Sequence, residues 1–254
     1  MTHCLAAASV LLASILSVHG GAVAEEEIQQ KYAVSPMVVL SVRNGDGRIM
    51  IYGSEENEIK ITALKRAFTK ERLDRIELKV TIDGDTATID TIYPPPPEGR
   101  LEDRSGTVDY TIIVPETCAI SKAELASGEL VFEGLRGAAI HGQLGAGRLM
   151  VRDCFSQTRV SVRRGGLDVL HGWWEDRGFS VAAEIADGNV RLSLPATAAF
   201  RVQAAAPKGD IQNAFAEKGT EKENQRVLDM RIGGDPQVEF KLTATDGNIR
   251  IDQH

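Results

Sequence analysis

The pentapeptide GELVF at residues 128–132 returns as GRLMV (147–151), GGLDV (165–169) and GNVRL (188–192). Each copy has a glycine, a variable position, an apolar residue, a second variable position and a second apolar residue. The four glycines lie 19, 18 and 23 residues apart. Self-similarity at a nearly fixed period of this length indicates a repeat architecture in which similar units stack on one another.

A second apolar pair precedes several of the repeat glycines, seven and five positions upstream, as Leu40 and Val42 precede Gly47. Where both pairs are present, one turn of the chain supplies two short strands, each with an inward and an outward face. Stacked turns bury their inward faces as one continuous core. We therefore predict an all-β, β-solenoid or β-helix-like stack of short strands with repeats of about 19–23 residues.

Glycine suits the bend between the two strands of a turn, because a Cβ atom there would clash. The last copy, GNIRI at 247–251, ends three residues before the C-terminus and predicts a C-terminal cap. The predicted structural turn glycines are Gly47, Gly128, Gly147, Gly165, Gly188, Gly209 and Gly247.

Residues 25–254 are predicted to form a single domain with two parts. Its repeat region and cap occupy residues 108–254, and an irregular part with an insertion occupies residues 28–107. Charged residues surround the apolar ones between 63 and 75, which predicts a short amphipathic helix. After it we expect strands at 76–82 and 86–92 joined by an Asp-Gly-Asp turn, and then a proline-rich loop that reaches residue 106.

Residues 1–24 have the pattern of a secretory signal peptide. An uncharged apolar run from Cys4 to Val18 is followed by Ala22-Val23-Ala24 and three glutamates, which predicts cleavage after Ala24. A membrane anchor is the alternative, but the run is shorter than the ~20 residues that a span needs. No later stretch is apolar enough to span a bilayer. The mature chain is therefore predicted to be exported, to the periplasm, the cell surface or the medium.

The composition excludes one class of partner. The net charge is −7 and the isoelectric point is about 5.4. Because binding to phosphate backbones needs a basic face, we expect no nucleic-acid partner. Only 5% of residues are aromatic, which suits a narrow core built from aliphatic side chains.

Cleavage of the signal peptide would leave two cysteines, Cys118 and Cys154. They are 36 residues apart, close to two repeats, so their Cα atoms should be roughly 9–10 Å apart. A disulfide needs less than about 7 Å. We therefore expect two buried thiols.

Four stretches carry a family resemblance: NGDGRI at 44–49, YTIIVP at 110–115, DGNV at 187–190 with Leu194-Pro195, and TDGNIRI at 245–251. In this order they resemble the bacterial putative-adhesin domain of unknown function, a family similar to the head domains of putative auto-transporter adhesins. The resemblance covers roughly residues 38–251. It implies a right-handed β-solenoid-like fold on envelope or exported proteins, with no established catalytic residues.

The best candidate contact surface is a short stretch in the longest gap between central repeats. It contains both tryptophans of the chain beside charged residues, as aromatic sugar-binding surfaces often do. In alternating structure only one of two adjacent tryptophans can point inward, so the other is exposed or covers a corner. A hydrophobic plug beneath a loop is the alternative. The candidate binding residues are Trp173, Trp174, Glu175, Asp176 and Arg177.

Two other patterns point only weakly to metal binding. His141 and His171 are each followed by glycine, but they lie 30 residues apart, out of register with the repeat, and we interpret both as turn histidines. Aspartates precede three repeat glycines, at Asp46, Asp187 and Asp246. Other turns have Ser, Ala, Arg or Lys there, so we expect turn chemistry instead of a calcium ladder. We predict no metal and no cofactor.

These observations favour a non-catalytic exported binding or scaffold module of the cell envelope, with a glycan, peptide or protein as partner. A polysaccharide-active β-helix enzyme is an alternative, but its site would need grouped carboxylates or basic residues on one face. The sensor component of an envelope stress system is a second alternative. No phosphate-binding loop, nucleophile elbow or zinc-protease motif is present in the sequence, and we expect the protein not to be an enzyme.

Overall fold

The structure, a computed structural model, describes residues 9–11, 23–95, 103–175, 177–216, 225–234 and 236–254. Within these residues, sixteen strands join in one hydrogen-bonded sheet, accompanied by one helix of five residues. The all-β class is therefore confirmed. The strands are β1 (Ser9–Leu11), β2 (Ala24–Ala33), β3 (Val39–Ser54), β4 (Glu58–Ala67), β5 (Glu77–Asp83), β6 (Thr86–Ile92), β7 (Thr107–Pro115), β8 (Ala119–Glu133), β9 (Ala139–Arg152), β10 (Gln157–Leu170), β11 (Ser180–Leu194), β12 (Phe200–Ala205), β13 (Ile211–Asn213), β14 (Val227–Ile232), β15 (Glu239–Asp246) and β16 (Ile249–Gln253), and the helix is α1 (Lys70–Asp74).

Parallel pairing of long strands forms the centre of the sheet. β3, β8, β9, β10 and β11 follow one another in parallel, and β11 pairs onward with β15 and β16. The repeat glycines pair directly, Gly47 with Gly128 and so on to Gly188. We call these central strands, from β3 to β15 and β16, the parallel stack.

The apolar positions of the repeat form continuous columns inside the stack. One column runs through Ile49, Leu130, Leu149, Leu167, Val190 and Ile249. Every side chain in it is at most 1% exposed. The apolar side chains of each strand thus pack against those of the neighbouring strands, and no strand could bury these side chains alone.

The glycines differ in one respect from the sequence prediction. They do not separate two short strands: in β3, β8, β9, β10 and β11, strands of 14 to 16 residues continue through the glycine. The backbone bends there instead, with φ between 123° and 138° at these five positions. Pairing continues on both sides because the neighbouring strand bends at the same place. Gly209 lies between β12 and β13 and does not have a positive φ, but it makes the same close approach, because a Cβ atom on it would lie 2.1 Å from the Gly247 carbonyl oxygen.

The region before the repeats extends the same sheet. β2, β4 and β7 pair antiparallel in that order, and β7 joins the second half of β3 in parallel. The predicted hairpin at 76–92 is present as β5 and β6, and β6 pairs with the first half of β3.

The predicted helix at 63–75 is wrong over its first half. Residues 63–67 continue β4 and pair with β2, and residues 63–66 of this segment pair with β7 as well. Helix α1 covers only Lys70–Asp74, with the Thr69 hydroxyl accepting a hydrogen bond from the Arg72 N–H at its start. The misleading residue is Lys65, which occupies a buried position of β4 and forms an ion pair with Glu26 at 2.6 Å.

The predicted signal peptide lies almost wholly outside the described residues. Of residues 1–24, the structure describes Ser9–Leu11, which pairs antiparallel with Gln29 to Lys31 of β2, and residues 23–24. The proline-rich loop is likewise described only at 94–95 and 103–106. Among the described residues, no helix is long and apolar enough to cross a lipid bilayer.

The prediction of two buried thiols is confirmed. Cys118 and Cys154 are free and buried, directly before β8 and between β9 and β10 respectively. Burial raises the pKa of each thiol to about 12. Both thiols are therefore unreactive packing groups at neutral pH.

Adjacent glycines in β10 give a matched test of the bend. A Cβ atom on Gly165, where φ is 134°, would lie 1.8 Å from the Gly147 carbonyl oxygen, whereas a Cβ atom on Gly166 would meet nothing within 4 Å. We expect Gly165→Ala to lower the free energy of unfolding by about 3 kcal/mol or more, and Gly166→Ala to stay within about 1 kcal/mol of wild type. Urea denaturation of the two variants measures this difference. Equal effects would contradict the assigned role of the bend.

Candidate functional site

The candidate tryptophans lie in the connection between β10 and β11, residues 171–179, which we call the Trp loop. The preceding connections are shorter, at 134–138 between β8 and β9 and at 153–156 between β9 and β10. The 23-residue gap between glycines therefore corresponds to a longer connection, while the strands themselves stay in register. Trp173, Trp174, Glu175 and Arg177 are in this loop, and Asp176 lies outside the described residues.

An aromatic cluster lies beneath and beside the Trp loop. Its rings come from the loop, the connection before β10, strands β12 and β15, and the turn after β13. Neighbouring ring centroids are 5.0 to 6.4 Å apart, and several pairs are edge-to-face, the favoured geometry for such contacts. The members are Phe155, His171, Trp173, Trp174, Phe179, Phe200, Phe215 and Phe240.

The two tryptophans have different environments. Trp174 is partly buried and packs on the core, with its ring 5.6 Å from Phe179 and 6.4 Å from Phe200. Trp173 is 47% exposed, and its inner side rests on Phe155 at 5.9 Å. One indole therefore closes the core while the other offers a surface to solvent.

A charged network holds the exposed tryptophan in place. Arg136, from the connection between β8 and β9, donates hydrogen bonds to Glu116 at 2.8 Å and to Glu175 at 2.6 Å. The Trp173 indole N–H donates to the same Glu175 carboxylate at 3.3 Å. Arg177 is 3.9 Å from its other oxygen. The Arg136 guanidinium also lies 5.6 Å from the centre of the Phe155 ring, within cation–π range.

The pKa of Glu175 reflects opposing influences. Partial burial alone would raise it, but the hydrogen bonds from Arg136 and Trp173 and the charges of Arg136 and Arg177 outweigh burial and lower the pKa. The bond to Glu175 in turn raises the pKa of Arg136. Both groups are therefore charged at neutral pH, and the carboxylate is an acceptor without a proton to donate.

The start of the Trp loop is fixed by Asp153. This residue is buried, with φ at 50°, in the left-handed region that non-glycine residues seldom adopt. Its N–H donates to the Leu170 carbonyl at 2.8 Å, and its carboxylate accepts the Gly172 N–H at 2.7 Å. The hydrogen bond between Asp153 and Gly172 thus stabilises both the left-handed backbone of Asp153 and the start of the Trp loop.

The interpretation of His171 as an ordinary turn histidine is wrong. His171 is 0% exposed and belongs to the aromatic cluster, whereas His141 is exposed on β9. Neither ring nitrogen of His171 has a hydrogen-bond partner. Burial lowers the pKa of His171 to about 4, although the negative charge of Glu175 acts in the opposite direction. The neighbouring tryptophans were the only sequence signal for this environment, because the phenylalanines around it are distant in sequence.

The outward face of the parallel stack carries charges of both signs. Arg148 contacts Asp168 at 2.7 Å, and Arg191 contacts Asp252 at 2.8 Å. Such exposed pairs contribute about 0–1 kcal/mol each. The face is therefore mixed in charge and solvated.

Two of the repeat aspartates contact basic side chains. Asp187 lies 3.1 Å from Arg164, and Asp246 lies 3.2 Å from Lys208. Asp46 pairs in register with Ser127, so the carboxylates do not continue along the stack. In the part of the chain that the structure describes, no three His, Cys, Asp or Glu side chains form a group that could hold a metal ion.

A cleft of about 1090 Å³ lies at the C-terminal end of the sheet, between β13, β14 and β16. Phe215 and Met230 are among the residues that line it. Because Phe215 also packs on Phe200, the aromatic cluster extends from the Trp loop to this cleft. The sequence patterns did not point to it.

No protein-family model matches the chain, and no curated protein matches it. A putative cell adhesion protein from Clostridium sporogenes ATCC 15579 is similar in structure, with a TM-score of 0.51 and 16% identity over 90% of this chain and 100% of that chain. The chain shares the fold of this protein. The resemblance to the putative-adhesin domain is thus confirmed at the level of the fold.

Two further solved structures are more distant. A putative adhesin from Bacteroides fragilis NCTC 9343 has a TM-score of 0.31 and 12% identity, over 89% of this chain and 96% of that chain. A putative lipid binding protein from Parabacteroides distasonis ATCC 8503 has a TM-score of 0.25 and 11% identity, over 88% of this chain and 96% of that chain. TM-scores this low carry no argument about either fold or function.

The buried histidine predicts a pH dependence of stability. Because the pKa of His171 in the folded protein is about 4, below its ordinary value of 6.5, the unfolded chain takes up a proton that the folded chain refuses. The free energy of unfolding should therefore fall as the pH drops below about 6.5. The stability lost through protonation of His171 in the unfolded chain should reach at most ~3 kcal/mol by about pH 4.

The test compares wild type with His171→Phe by urea denaturation at pH 7.5, 5.5 and 4.5. The carboxylates titrate in both proteins, so their effect cancels in the comparison. As the pH falls, the free energy of unfolding should therefore decrease more in wild type than in the variant, which lacks His171. A difference that is constant with pH would rule out a buried, neutral His171.

Proposed function

We propose that the chain is an exported, non-catalytic binding module of the cell envelope. Residues 1–24 act as a cleaved signal peptide, and residues 25–254 form a single right-handed β-solenoid domain. Its contact surface is the Trp loop, and its partner is a glycan. The observation that carries the proposal is the half-exposed indole of Trp173, which is supported from below by Phe155 and fixed at its edge by Glu175.

Several features support the solenoid. The parallel stack repeats one bend at the same position in each strand, and the inward columns are almost fully buried. Shared fold with a putative cell adhesion protein agrees with a module whose role is to present surface. Fold alone does not give function, so the argument for binding rests on the Trp loop.

The Trp loop has the chemistry that a sugar ring requires. The apolar C–H face of a sugar packs well on an indole ring that is already held in one orientation. Around that ring, Arg136 and Arg177 supply donors, and Glu116 and Glu175 supply acceptors for hydroxyl groups. Because these groups are fixed before the ligand arrives, little side-chain entropy is lost on binding.

The alternatives fit less well. A glycoside hydrolase needs one protonated carboxylic acid beside a carboxylate. Here Glu116 and Glu175 both bind Arg136, and the pKa of Glu175 is lowered, which makes it a poor proton donor at neutral pH. A peptide or protein partner, including one in a stress-sensing system, remains an outcome of the experiment below.

The experiment is a thermal-shift screen of residues 25–254 against envelope glycans, with cationic peptides and calcium as further probes. A glycan at about 100 times its Kd should add ~2.7 kcal/mol of stability, or several degrees in a domain of this size. Trp173→Ala should abolish the shift. Phe68→Ala is the matched control, because Phe68 is 72% exposed and lies outside the Trp loop.

Each result of the screen decides between partners. A glycan shift that Trp173→Ala removes and Phe68→Ala retains supports the proposal. A thermal shift with peptides alone would indicate a peptide or protein partner instead of a glycan. A thermal shift with calcium would indicate that the repeat aspartates bind this ion. A glycan shift unaffected by Trp173→Ala would place the site elsewhere.

A further inference from the structure

His171 is enclosed by aromatic rings. The ring centroids of Phe155, Phe179, Phe240 and Trp174 lie 5.1, 5.3, 6.0 and 6.2 Å from that of the imidazole. Both imidazole nitrogens are buried without a hydrogen-bond partner. A neutral imidazole in this cage already lacks the bonds it makes in water, and a proton would add a charge and a second N–H donor with no acceptor.

One side of the cage is the Trp loop itself. Trp174 closes it by packing on Phe179 and Phe200, and a small set of polar bonds ties the rest of the loop to its neighbours. Gly172 N–H bonds to Asp153 at 2.7 Å, Glu175 bonds to Arg136 at 2.6 Å, and the Trp173 ring rests on Phe155. The described residues between 171 and 179 take part in no strand pairing, and they separate two strands that pair with each other. The loop can therefore move without breaking the parallel stack.

The charged groups around His171 come from several elements. Glu175 and Arg177 are on its own loop, Asp153 is on the connection before β10, and Arg136 is on the connection before β9. From β12 and β15 the cluster receives only Phe200 and Phe240. On the remaining side, the His171 N–H donates to the Ser193 carbonyl, and the Ser193 hydroxyl contacts the exposed His254 at 3.2 Å.

We propose that the Trp loop is an acid-released latch, in which protonation of His171 opens the loop and dismantles the Trp173 surface. Opening gives the imidazolium access to water and to the carboxylates of Asp153 and Glu175. In the closed loop the bonds from Arg136 and Trp173 lower the pKa of Glu175, so this carboxylate is charged when the loop begins to open. The proposed glycan site would then bind at neutral pH and release in acid.

Thermodynamic linkage limits the size of the effect. With a pKa of about 4 in the closed loop and about 6.5 in an open one, full protonation shifts the ratio of open to closed loop by at most about 300-fold, and by about 30-fold at pH 5. A loop that is open one time in about a thousand at pH 7.5 would still be mostly closed at pH 5. The latch therefore needs a closed state that is only modestly favoured, with the packing of Trp174 as the main contact to be lost on opening.

Tryptophan fluorescence reports the opening directly, because the two tryptophans of the chain follow His171 in the loop. We expect the emission to shift reversibly to longer wavelength between pH 7.5 and 4 while far-ultraviolet circular dichroism stays constant. His171→Phe should abolish this shift. His141→Gln, which changes an exposed histidine on β9, should leave it unchanged.

Hydrogen exchange provides a second measurement on the wild-type protein, in case His171→Phe does not fold. After correction for the intrinsic pH dependence, protection of the Gly172 amide should fall by about 30-fold at pH 5, while amides within β9 and β10 keep theirs. Constant protection of Gly172, or an emission shift that persists in His171→Phe, would overturn the latch. An imidazole that titrates in place, stabilised by its aromatic neighbours, would give the same contradicting result.

These measurements need no ligand, so the latch and the proposed function can fail separately. If the loop opens in acid but no glycan binds at pH 7.5, the latch stands and the glycan site is wrong. If a glycan binds equally at pH 7.5 and 5 and the emission is constant, the site stands and the latch is wrong.

Discussion

The close approach of glycine backbones at the bend is the constraint on which the structure depends. A Cβ atom on Gly128 would lie 1.7 Å from the Gly47 carbonyl oxygen, and the same clash recurs at Gly147, Gly165, Gly188 and Gly247. Each neighbouring strand must therefore bend at the same residue with the same positive φ. This fixes the register, and the register aligns the apolar columns that supply the hydrophobic stabilisation.

Stacking in register also explains where a binding surface can form. The connections between strands meet along one side of the stack, so residues far apart in sequence come together there. The Trp loop is longer than the preceding connections, and it covers Phe155, which belongs to the connection between β9 and β10. Arg136, from an earlier connection, reaches Glu175 in the same way, and it also binds Glu116 from the connection before that. The stack is the rigid support, and the loop supplies the chemistry.

Features set by local backbone constraints could be predicted from the sequence. The repeated pentapeptide that begins with glycine predicts which strands stack on one another, because a bend that excludes a Cβ atom needs glycine in every strand. The predicted helix at 63–75 is wrong over its first half because Lys65 occupies a buried strand position, where its ion pair with Glu26 replaces apolar contact. His171 was misinterpreted for another reason. Its cage combines Phe155, Phe179 and Phe240, and their proximity depends on the register and on the path of the long connection.

The central claim, that the repeats stack in register, is tested most directly by distances between spin labels on the outward column through Arg48, Glu129, Arg148, Gly166 and Asn189. Labels at Arg48 and Asn189 are separated by four strand spacings, or roughly 19 Å. Labels at Arg48 and Asn248 are one spacing further apart, since Val190 pairs with Ile249, and should give roughly 24 Å. An increase of about 5 Å between the two pairs is the predicted result. Equal distances, or a shorter second distance, would contradict the stack.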